Sequence, residues 1–155
     1  MMQAQNDSLE VLLEREESDR DTLALRVRQA QTHLERLQAQ AVQFTQHRAD
    51  YTTRWQQQFH QAGGIEIVQC YRSFMQRLDL AMSHLEQQRG QAEVNLARQR
   101  HHLVQAETRV AAIRKLIQRR QQTYVLAQQR REQKQADEVA QRTAWLTRQA
   151  QVALG

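Results

Sequence analysis

The chain has no proline, four glycines, one cysteine and eight aromatic residues in 155. Without proline, and with glycine this scarce, little can interrupt a helix. A single cysteine, Cys70, excludes an intrachain disulfide framework and reads as a small hydrophobe near the start of a second helix. No run approaches the roughly 20 apolar residues of a membrane span. The first residues are acidic (Asp7, Glu10, Glu14, Glu16, Glu17) and offer no apolar core of a secretory signal. A cytoplasmic protein is the expectation.

Helix formers fill the chain. Gln is about a fifth of it, and Arg is the main cation. A mean hydropathy of -0.83 would suit disorder. The apolar residues argue otherwise, because they hold one seam at alternating three- and four-residue spacing. It runs through Leu9, Leu13, Leu23, Val27, Ala30, Leu34, Leu37, Ala41, Phe44, Tyr51 and Trp55. It breaks once, at Gly63-Gly64. It resumes through Tyr71, Met75, Leu78, Met82, Leu85, Ala92, Leu96, Leu103, Ala106, Val110, Ile113, Ile117, Tyr124 and Ala127. This is the coiled-coil period, and a single break predicts a doubling back. The expected fold is all-α: a long antiparallel two-helix coiled-coil hairpin with an overhanging C-terminal helix. It forms one domain over 1–155, with a first helix at about 5–61, a turn at about 62–66 and a second helix at about 67–152.

Charge supports the same arrangement. Residues 1–21 carry seven acids against Arg15 and Arg20, whereas residues 98–148 carry twelve bases against Glu107, Glu132, Asp137 and Glu138. A turn at the glycine pair places the acidic start beside Arg109, Arg114, Lys115, Arg119 and Arg120. Charges flanking a seam select orientation more than they stabilise it. A parallel homodimer would set acid beside acid. The second arm outruns the first by roughly 40 to 50 Å at 1.5 Å per residue. Past about Gln121 the seam fills with Arg131, Lys134 and Glu138, yet Val139, Trp145, Leu146 and Val152 persist. This overhang is expected to dock into another protein. Marginal stability and bending are expected near Arg89-Gly90, where a charged seam residue meets a helix-weakening glycine.

No residue pattern supports catalysis. The glycine pair lacks the Lys and Ser/Thr of a phosphate loop. Adjacent His101 and His102 point to different sides of a helix, so no chelating pair forms, and no metal or cofactor is expected. The carboxylates have no pocket to shift them. Nucleic-acid binding is not expected despite a pI of about 10.1, because the acidic arm offsets the basic stretch and no basic region precedes a parallel zipper. Six aromatics, Phe44, Tyr51, Trp55, Phe59, Tyr71 and Phe74, gather towards the turn. Trp55 and Tyr71 suit plugs of the tip, and the others suit contact anchors.

The stretch Gln133-Lys134-Gln135-Ala136-Asp137-Glu138-Val139-Ala140-Gln141-Arg142, and that from Tyr71 through Phe74, Leu78, Ala81 and Met82, are similar to the FliJ family of the bacterial flagellar type III export apparatus. The Leu9 to Arg20 segment, acids following paired leucines, resembles it too. The resemblance implies a non-enzymatic stalk in the central hole of the hexameric flagellar export ATPase. It also implies contact with the membrane export-gate protein, escort of export chaperones, and peripheral association with the cytoplasmic face of the inner membrane. Carried over by position, ATPase-ring contacts fall on Asp137, Glu138, Gln141 and Arg142. Export-gate contacts fall on Gln40, Phe44, His47, Tyr51, Phe74, Leu78, Ala81 and Leu85. Phe44, Tyr51, Leu78 and Leu85 also lie on the seam, so the partner helix and the gate compete for them. The stalk of a virulence type III secretion system and a generic coiled-coil chaperone or scaffold are the alternatives.

Overall fold

The computed structural model describes residues 2–61 and 64–155, with side chains from residue 6 onward. Two helices account for nearly all of it: α1 at Met2–Gln61 and α2 at Ile65–Leu154, with no strand among the described residues. They pack antiparallel as a helical hairpin. α2 begins at Ile65. Gly64 caps it, its carbonyl accepting from the Val68 amide at 3.3 Å. Gly64 has no positive φ, so its place at the turn does not depend on a left-handed backbone. Gly63, the other half of the expected break, lies outside the described residues.

The chain divides into two compact units. One comprises Glu16–Thr108, and the other combines Met1–Arg15 with Arg109–Gly155. In the first, Ala30, Leu34 and Leu37 of α1 meet Leu85, Ala92 and Leu96 of α2, with Val27, Ala41 and Phe44 packed against them. Each such leucine contributes about 1.5 to 3 kcal/mol by leaving water. Two bonds cross between the helices, Arg48 Nε donating to Asp79 Oδ1 at 3.0 Å and Arg100 Nη2 donating to Gln31 Oε1 at 2.9 Å. In the second unit Val110 is buried, while Leu9, Leu13, Ile113 and Ile117 are half-buried.

One expectation is corrected: Cys70 is exposed and packs in no core. α2 continues as α-helix through Arg89 and Gly90. Arg89 bridges Glu86 and Glu93 on the neighbouring turns of its own helix, which ties the weak step from both sides.

Candidate interaction surfaces

In the Glu16–Thr108 unit the aromatic residues form a cluster at the turn end. Trp55 lies 5.6 Å from Tyr71 and 5.9 Å from Phe59, centroid to centroid. Phe59 meets Tyr71 edge-on at 5.5 Å, and Tyr51 meets Phe74 in the same manner at 4.8 Å. Edge-to-face pairs hold ring orientation beyond what area burial supplies. All but Tyr51 are half-buried, so the cluster closes the tip. Beside it lies an open groove of about 690 Å³, floored by Tyr51, Trp55 and Phe74 and edged by Glu66, Cys70 and Arg77.

The eight export-gate positions separate by exposure. Leu78 and Leu85 are buried against the facing helix, at 9% and 6% exposure. Phe44 packs on the core cluster, and Phe74 is half-buried against Tyr51. Gln40, His47 and Ala81 are exposed, and Tyr51 stands at the margin with 36%. Thus four of these side chains pack within the hairpin and four remain accessible.

The ATPase-ring positions are all in the second unit. Asp137, Glu138, Gln141 and Arg142 are exposed, as is every residue from Gln128 to Gly155. Asp137 is bonded within its own helix, Gln133 Nε2 donating to Asp137 Oδ1 at 3.2 Å. Asp137 and Gln141 share one side of the helix, and Glu138 and Arg142 the side next to it. The apolar residues here, Val139, Trp145, Leu146 and Val152, are 58% to 81% exposed. Helix without tertiary cover is marginal alone in water, and most helical stability in proteins comes from packing.

Charge separates the units in a way the chain-wide total hides. Residues 16–108 hold eleven bases and eleven acids, whereas the other unit holds eleven bases and six acids. The whole net charge of +5 therefore belongs to the second unit. The hydrogen bond from Arg89 lowers the Glu86 carboxyl below its ordinary value, and the bond to Asp79 raises the Arg48 guanidinium. Both groups are exposed.

The family model described as flagellar FliJ protein matches residues 5–149. The chain belongs to the flagellar FliJ family. FliJ proteins are non-catalytic components of the flagellar export apparatus, and the all-helical hairpin agrees with such a role. No curated protein and no solved structure matches the chain. Among the described residues no helix is long and apolar enough to cross a membrane. The buried positions lie on the seam that is legible in the sequence. What sequence reasoning missed is the groove edged by Glu66 and Arg77, whose residues carry no shared motif and meet only once α1 and α2 are in register.

Proposed function

We propose that this FliJ-family chain is the central stalk of the hexameric flagellar export ATPase. In this reading it links the ring to the membrane export gate and escorts export chaperones at the cytoplasmic face of the inner membrane. The observation that carries the reading is the end of α2: from Gln128 to Leu154 the backbone is helical and every side chain is exposed. An uncovered helix with apolar residues and mixed charge is suited to a ring that surrounds it. Asp137, Glu138, Gln141 and Arg142 make the ring contacts. Gln40, His47, Tyr51 and Ala81 face the gate, while Phe44, Phe74, Leu78 and Leu85 support them from the seam. A continuous helical element is what coupling requires, since both partners can bias it.

The test is co-purification of the export ATPase with the full chain and with its Asp137→Ala, Glu138→Ala, Gln141→Ala, Arg142→Ala variant. Loss of capture by the variant, with unchanged helicity, is the expected result. Equal capture would place the ring contacts elsewhere. In parallel, Gln40→Ala with His47→Ala and Ala81→Glu should weaken capture of the gate protein alone. A generic scaffold would capture neither.

A further inference from the structure

Between Glu107 and Glu132 the chain has seven bases and no acid. The face of α2 that carries Val110, Ile113 and Ile117 continues at the same three- and four-residue spacing through Arg120, Tyr124, Ala127, Arg131 and Lys134. Cover is lost along it. Val110 is 2% exposed, Ile113, Ile117, Arg120 and Ala127 are half-buried, Tyr124 is 44% exposed, and Arg131 and Lys134 are exposed with Arg130 beside them. None of Arg130, Arg131 and Lys134 has an ion-pair or hydrogen-bond partner among the described residues. We propose that this basic track, centred on Arg130, Arg131 and Lys134, receives an acidic amphipathic helix of a partner protein.

The chain itself shows what kind of segment this face takes. The α1 stretch grouped with it, Asn6–Arg15, has half-buried Leu9 and Leu13 four residues apart, with Asp7, Glu10 and Glu14 around them. An acidic helix with a narrow leucine stripe therefore already suits the neighbouring part of the track. Complementary flanking charge selects such a partner and its orientation. A lipid surface fits poorly, because interfacial helices set a broad apolar face between their bases. Here bases occupy the middle of the face, while Val125 and Leu126 point round the helix from Tyr124. The track also precedes Asp137, Glu138, Gln141 and Arg142, so the inference goes beyond the ring contacts and does not rest on them.

The experiment titrates the full chain into a labelled synthetic helix of about three heptads with leucine on the seam and glutamate on the flanks. A lysine-flanked twin, duplex DNA and phosphatidylserine-containing vesicles are titrated alongside. The glutamate helix should bind the parent chain. Substituting Arg130→Glu, Arg131→Glu and Lys134→Glu should weaken it by at least about tenfold without changing helicity, because these side chains are exposed. The Asp137→Ala, Glu138→Ala, Gln141→Ala, Arg142→Ala chain should bind it as the parent does, which separates this site from the ring contacts. The proposal is overturned if the triple variant binds as tightly as the parent. It is equally overturned if the lysine-flanked twin matches the glutamate helix, or if DNA or vesicles bind more tightly than it.

Discussion

The residues of 16–108 and those of 109–155 are drawn from nearly the same alphabet, yet they are put to opposite use. In the first stretch α1 and α2 face one another, bases and acids are equal in number, and the buried leucines and alanines are at 0% to 9% exposure. In the second, cover thins past Val110 and ends at Gln128, and the net positive charge accumulates. The difference shows that buried apolar side chains line the seam only while a partner helix lies on it. Where the partner stops, Arg131, Lys134 and Glu138 follow one another along the seam, and hydrophobes such as Val139 and Leu146 remain exposed.

The comparison breaks most readily in the first stretch. Leu34→Asp with Leu96→Asp places two charges against a core that has no partner for them, at several kcal/mol each, about 3 or more. Circular dichroism should report loss of most helicity; retained helicity would mean that these side chains do not pack together. Trp55→Ala removes the ring that touches both Phe59 and Tyr71. It should cost about 1 to 3 kcal/mol, seen as a lower melting temperature, since the site is only half-buried. Gly90→Ala acts in the other direction. A Cβ there meets nothing within 4 Å, so the helix should gain about 0.5 to 1 kcal/mol and melt higher.

The second stretch should be nearly indifferent to the same treatment. Arg130→Ala with Lys134→Ala should change stability by no more than about 0.5 kcal/mol in chemical denaturation, because nothing in the fold leans on them. The smallest expected effect is that of pH on Glu86. Its folded-state value is lowered by Arg89, so its contribution is present above its unfolded value and is lost as pH falls through the folded one. Comparing acid unfolding of the parent with Glu86→Gln isolates a shallow difference confined to that window. A difference at neutral or higher pH would point to another group.

Most of the fold was legible before any coordinates. The ten buried hydrophobics, Ala30, Leu34, Leu37, Met75, Leu78, Leu85, Ala92, Leu96, Ala106 and Val110, all lie on the seam read from spacing. Spacing succeeds here because a two-helix pair has a single interface and so a single period. It fails where local chemistry decides. Arg89 and Arg48 both occupy seam positions, but one bridges Glu86 and Glu93 along its own helix and the other crosses to Asp79. Spacing does not encode which partner a long side chain chooses. Nor does it reveal that Cys70, close to the aromatic cluster, edges a groove instead of filling it. For the interaction surfaces, the family resemblance supplied positions, and only burial divided the gate-facing set into supports and exposed groups.

Hydrogen exchange resolved along the chain, with and without the export ATPase, tests the division of labour most directly. Alone, amides near Leu34, Leu37, Leu85 and Leu96 should exchange close to the rate of global unfolding, and those of 128–154 orders of magnitude faster. Adding the ATPase should slow exchange in 128–154 and leave the core amides unchanged. If 128–154 is as protected as the core in the isolated chain, or if the ATPase slows exchange only within 16–108, the exposed end of α2 is not the docking element.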